Sequence, residues 1–143
     1  MAHYHAVVAT RKSPEEAFAY LSDFSTTAEW DPAVHEAERL DTGEIGEGSA
    51  FRLVADFLGR KEKVEYRIIE FHPPNMVTLR GENGTAVSLD RITCEPFGGG
   101  ARISYHADLT LKGLLKVADP LLGLLFTRIG DRALAGLRAT ICM

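Results

Sequence analysis

Tyr66 and Tyr105 are the side chains in this sequence best suited to chemistry. Each sits on the apolar side of an alternating run: Val64, Tyr66 and Ile68 in one, and Ile103, Tyr105, Ala107 and Leu109 in the other. Both hydroxyls are therefore expected to face the interior. A buried phenol needs a partner. A backbone carbonyl or a water would serve structure alone. The alternatives are a polar anchor for a bound molecule, or a proton donor in acid–base chemistry. Trp30 is the sole tryptophan. It reads as packing between short helices and core, or as a wall or lip of a cavity mouth.

Other chemistry-bearing residues point to nothing more specific. His3 and His5 share a strand face, a spacing that can serve a metal, but no third ligand is evident. They read as exposed residues of an edge strand, and no metal site is expected. Gly43, Gly46 and Gly48 do not form a dinucleotide fingerprint and read as a loop. There is no H-E-x-x-H, G-x-S-x-G, P-loop or C-x-x-C. Cys94 has no evident base or helix N-terminus beside it and reads as an inert thiol. No cofactor is expected, and catalytic residues stay unassigned.

The elements that must position Tyr66 and Tyr105 follow from periodicity. His3 to Thr10 reads as a first strand. Ser13-Pro14-Glu15-Glu16 opens a helix: Ser13 caps it, Pro14 needs no N–H there, and Glu16 completes a capping box. Asp23 caps a second, short helix that Asp31-Pro32 stops. Strands follow at Val34–Leu40, Ser49–Phe57, Lys61–Phe71, Met76–Glu82, Thr85–Glu95 and Ala101–Leu111. Asn83-Gly84 predicts a type I′ hairpin. The alternation slips near Asp90-Arg91, which predicts a bulge. From Gly113 to Ile141 apolar residues recur every three or four positions, predicting one long helix, with a kink or restart at Pro120. Its run Leu121, Leu122, Leu124, Leu125, Phe126 is wider than one stripe. That fits a helix buried on most sides, or a patch at an entrance or homodimer contact.

At 143 residues the chain is expected to be one domain spanning 1–143. A net charge of −4 disfavours nucleic acid as a partner. No run approaches the ~18 apolar residues of a membrane span, so no integral membrane association is expected. Two cysteines without ligand spacing and no signal peptide suggest a cytoplasmic, reducing setting. The fold class is α+β: a seven-stranded antiparallel sheet wrapped around a long C-terminal helix, with two short helices after the first strand.

Three stretches carry a family resemblance: Ser13-Pro14-Glu15-Glu16-Ala17-Phe18-Ala19-Tyr20-Leu21-Ser22-Asp23-Phe24, Glu29-Trp30-Asp31-Pro32, and Gly98-Gly99-Gly100-Ala101-Arg102-Ile103-Ser104-Tyr105. With the order of elements, they resemble the helix-grip superfamily of START lipid-transfer domains, birch-pollen-allergen proteins and aromatic polyketide cyclases. The polyketide cyclase/dehydrase-like bacterial branch is the closest likeness. The resemblance implies a cavity between sheet and helix, but it transfers no catalytic position.

The expected function is binding of a small, mostly apolar molecule, such as a lipid, quinone or polyketide. The expected ligand-binding side chains are Trp30, Phe51, Leu53, Phe57, Tyr66, Leu79, Tyr105, Ala107, Leu121, Leu125 and Ile129. One alternative is a polyketide cyclase or aromatase that uses pocket shape and tyrosine acid–base groups. Another is an interaction protein that uses the Leu-rich helix.

Overall fold

The computed structural model describes residues 2–57, 60–112 and 119–141, the last stretch with side chains from Phe126 onward. Seven strands form one antiparallel sheet: β1 (Ala2–Thr10), β2 (Val34–Arg39), β3 (Ala50–Phe57), β4 (Arg60–His72), β5 (Met76–Glu82), β6 (Ala86–Phe97) and β7 (Gly100–Leu111). Their order is β1-β7-β6-β5-β4-β3-β2. From β2 to β7 the sheet is a meander, and β1 adds at the far edge beside β7. Three helices complete the chain: α1 (Pro14–Ser22), α2 (Thr27–Trp30) and α3 (Asp119–Ile141).

Local chemistry sets the helix boundaries. Ser13 Oγ accepts the Glu16 N–H at 3.1 Å and donates to the Glu16 carboxylate. Asp23 caps a single 3-10 turn, Phe24–Thr26, that leads into α2. Asp31, in extended conformation before Pro32, ends α2. The stretch 113–118 and the Leu58-Gly59 connection lie outside the described residues, and the expected kink at Pro120 falls where the described helix begins.

Two features of the sheet differ from expectation. Gly84 does not adopt positive φ, so the β5–β6 connection is not a type I′ turn. Asn83 closes it instead: its side-chain oxygen accepts from the N–H groups of Thr85 and Ala86, at 2.8 and 2.9 Å. An Asx side chain does here the work that a mirror-image backbone would do. The bulge expected near Asp90 is also missing. Registers on both sides of β6 run without a shift. The irregularities lie at Val34/Glu36 and Ile68/Glu70. The β6–β7 turn does use left-handed glycines, Gly98 (φ 56°) and Gly99 (φ 85°).

The sheet's inward face, α1 and the end of α3 form the core, with Leu21, Phe24, Phe51, Ile68, Leu79, Ile92, Ile103 and Ile141 essentially inaccessible. Two glycines let α3 sit close. A Cβ at Gly130 would stand 2.2 Å from the Tyr4 ring on β1, and one at Gly136 would stand 1.8 Å from the Trp30 carbonyl oxygen. The C-terminal end of α3 is tied to β1, where Thr10 Oγ1 donates to the Ile141 carbonyl at 2.6 Å. On the outer face, His3 pairs with Asp108 and the ring of His5 stacks on that of His106 at 4.0 Å. Both β1 histidines are exposed on an edge strand, as their spacing suggests.

Candidate functional site

The helix does not fill the concave side of the sheet. A cavity of about 190 Å³ remains between β1, β3, β4, β6 and β7, the short helices, and α3. An engineered apolar cavity of ~150 Å³ is enough to take benzene. Tyr4 and Ala6 of β1 border the hollow, Val34 joins them at the start of β2, and alternation aims side chains inward from four further strands. Leu53, Ala55 and Phe57 come from β3, Val64 and Tyr66 from β4, Ala86, Ser88 and Asp90 from β6, and Tyr105, Ala107 and Leu109 from β7. Phe24, Thr27, Trp30 and Asp31 close one side, and Phe126, Ile129, Ala133, Leu134 and Leu137 of α3 form the lid.

Of the expected ligand-binding side chains, Trp30, Leu53, Phe57, Tyr66, Tyr105, Ala107 and Ile129 border this cavity. Phe51 and Leu79 do not; each is 0% exposed and packs in the core. Phe51 stands one inward position before Leu53, at the end of β3 that the Phe24 ring covers, 6.3 Å away. Leu79 sits on β5, a strand that contributes no side chain to the described lining. The side chains of Leu121 and Leu125 lie outside the described residues, as does the Leu-rich patch proposed for a dimer contact.

A polar cluster interrupts the apolar wall. Tyr105 donates its hydroxyl hydrogen to Asp90 Oδ2 at 2.5 Å, and Ser88 donates to Asp90 Oδ1 at 2.6 Å. The Tyr66 hydroxyl lies beside Ser88. Asp31 also borders the cavity, and its Oδ1 accepts the Ala33 N–H at 2.9 Å. Rings hold the phenols in place: Trp30 meets Tyr105 edge-on at 6.3 Å, and Phe24 meets Tyr66 at 5.1 Å. Tyr66 and Tyr105 are only half-buried by accessible surface although protein surrounds them, because that surface belongs to the cavity.

Burial dominates the electrostatics. Asp90, 6% exposed, is pushed up to about 6, chiefly by desolvation, against the pull of the Ser88 and Tyr105 hydrogen bonds. The negative charge of Asp31 adds to the shift. Asp31 is itself raised by burial. Tyr66 and Tyr105 are raised far above the ordinary phenol value by burial and then by Asp90, so both remain protonated donors. Cys94 is buried and pushed up to about 11, which leaves a thiol with little thiolate at neutral pH. The Trp30 indole N–H is buried and has no hydrogen-bond partner among the described residues.

Sequence reading missed Asp90, Ser88 and Asp31 as site residues. The signal for Asp90 was present as the break in alternation on β6. Ala86, Ser88, Asp90, Ile92 and Cys94 share the inward face in unbroken register, while Leu89 points outward at 37% exposure. A carboxylate inside and a leucine outside imitate a phase slip. Asp31 read only as a helix stop.

This architecture agrees with comparisons to known proteins. Residues 1–141 match the family described as polyketide cyclase / dehydrase and lipid transport, and the chain belongs to that family. An uncharacterised protein of Mycobacterium tuberculosis is 28% identical over 100 residues, 68% of each chain. A START superfamily protein from Mycobacterium smegmatis superposes with a TM-score of 0.82 at 16% identity, covering 99% of this chain and 97% of that one. The Zhui aromatase/cyclase from Streptomyces sp. R1128 superposes with a TM-score of 0.72 at 14% identity, covering 94% and 87%. These likenesses establish a START-type helix-grip fold. Among the described residues, no helix is long and apolar enough to cross a membrane.

Proposed function

We propose that this protein binds a small, mostly apolar molecule in the cavity between the sheet and α3. The observation that carries this reading is the cavity itself, about 190 Å³ and lined mainly by aliphatic and aromatic side chains. Unfilled apolar volume is destabilising, so occupancy by a ligand recovers contacts that the protein alone forgoes. Trp30, Leu53, Phe57, Tyr66, Tyr105, Ala107 and Ile129 supply the contact surface, and Tyr66 is the phenol left to meet a polar atom of the ligand. An apolar ligand at a hundred times its dissociation constant stabilises the fold by ~2.7 kcal/mol and raises the melting temperature by several degrees. The test is a thermal-shift series on delipidated protein with alkylbenzenes of increasing length. A length optimum that Ala107→Phe abolishes supports the reading. No shift with any member overturns it.

The Asp90–Tyr105 pair favours a second reading, a cyclase. The same fold houses an aromatase/cyclase in Streptomyces. A carboxyl near 6 is suited to taking a proton from a carbon next to a carbonyl, while the Tyr66 hydroxyl donates a hydrogen bond to the developing enolate oxygen. The test is ring closure of a short poly-β-keto thioester. Catalysis that Asp90→Asn removes, with apolar binding retained, supports this reading; a wild-type rate equal to background excludes it.

A further inference from the structure

Every charged side chain among the described residues lining the cavity is acidic: Asp31, Asp56, Glu62 and Asp90. None is Lys, Arg or His. Two surface side chains approach this acidic set from outside the cavity. Asp56 is exposed and engaged by His35 at 2.8 Å. Arg132 borders a second, shallower hollow shared with Trp30 and Asp31, but it is not part of the cavity lining. Asp90 is buried, and Asp31 is half-buried with its charged form disfavoured by desolvation. Their described hydrogen bonds come from a backbone N–H, a serine and a tyrosine, all neutral donors. Buried carboxylates normally sit beside a cation, because an unpaired one costs several kcal/mol to desolvate.

From this we infer that the cavity selects an apolar molecule whose polar end is a hydrogen-bond donor, an amine foremost and a hydroxyl second, and rejects carboxylates. The inference rests on the apolar-binding reading above and narrows its ligand class. An ammonium placed between Asp31 and Asp90 supplies the missing countercharge. A hydroxyl supplies a donor without the charge. A carboxylate, as in a fatty acid, would add a third negative charge to a low-dielectric site and leave both aspartates unpaired.

The experiment compares head groups on one apolar body: 3-phenylpropylamine, 3-phenylpropan-1-ol, 3-phenylpropanoate and headless propylbenzene. Affinities are measured calorimetrically at pH 8, where Asp90 is ionised. The expected order is amine, alcohol, then carboxylate, with the amine at least about tenfold tighter than the carboxylate. In Asp90→Asn the advantage of the amine over the alcohol should shrink to within about threefold, while propylbenzene binding is kept. Asp31→Asn gives an independent check should Asp90→Asn fold poorly, and the wild-type series stands without either. Carboxylate binding as tight as amine binding, with propylbenzene also bound, overturns this inference and spares the apolar-binding reading. Failure of all four probes to bind overturns both.

Discussion

The ring of Tyr66 on β4 lies across the backbone of Gly81, its register partner on β5, so that a Cβ at residue 81 would stand 2.5 Å from Tyr66 Cε1. The edge of the Phe24 ring meets the same phenol at 5.1 Å. With one neighbour beneath and another beside, the phenol can yield only toward the cavity. Gly81→Ala should therefore cost ~1–3 kcal/mol in urea unfolding and reduce the affinity for the largest alkylbenzenes that bind wild type. In a Tyr66→Ala background the same substitution should be close to neutral, which a double-mutant cycle would register.

Stability should carry a signature of Asp90 between pH 4 and 6. Its folded value of about 6 lies above the ordinary 3.8, so the native state holds this proton more tightly than the unfolded chain. The favourable contribution is complete below about 4 and is lost as pH rises through about 6, a difference of about 3 kcal/mol. The groups facing Asp90 are Ser88 on its own strand, Tyr105 on β7, Tyr66 on β4 and Asp31 after α2, while Asp108 acts on it from the outer face of β7. Asp31 and Asp108 raise the value, and the hydroxyls of Ser88 and Tyr105 lower it. Urea midpoints across this window should fall more steeply in wild type than in Asp90→Asn. Parallel curves would contradict the burial of the charged form.

Tyr105→Phe removes the donor to Asp90 Oδ2 and keeps the ring against Trp30. At pH 8 the ionised carboxylate is left one hydrogen bond short, and unfolding free energy should drop by ~1–3 kcal/mol. At pH 4, with Asp90 protonated, the loss should be smaller. A pH-independent cost would mean that the hydroxyl serves packing alone.

Two positions on α3 should respond differently to truncation. Leu137 touches the cavity but is 2% exposed and belongs to the hydrophobic core, so Leu137→Ala should cost ~2–5 kcal/mol. Ile129 is half-buried and borders open volume. Ile129→Ala should cost about 1 kcal/mol, because part of the side chain has no neighbour to lose. The same variant should accept longer alkylbenzenes in the thermal-shift series.

Elements whose periodicity is expressed in side-chain type were legible from the chain. The inward placement of Tyr105 follows from Ile103, Ala107 and Leu109, and the α1 cap follows from Ser13 and Glu16. What stayed hidden depends on side-chain partners that periodicity does not encode. Asp90 looks misplaced until Tyr105, fifteen residues away, is seen to hold it. Gly84 looks like half of a type I′ turn until the Asn83 side chain is seen to close the loop. Phe51 and Leu79 share the inward face with true cavity residues, and no pattern along one strand tells a filled position from an empty one. That distinction is set by where Phe24 and α3 come to rest.

The contacts at Gly130 and Gly136 give α3 two hard stops, one against an aromatic ring and one against a backbone carbonyl. Neither stop needs a side chain from the helix itself. The height of the roof above the sheet is therefore fixed by the Tyr4 ring and the Trp30 backbone rather than by the other side chains that line the room. Shortening a lining residue should leave space that the roof cannot descend to reclaim, so the interior can be re-dimensioned one side chain at a time while the frame stays where it is.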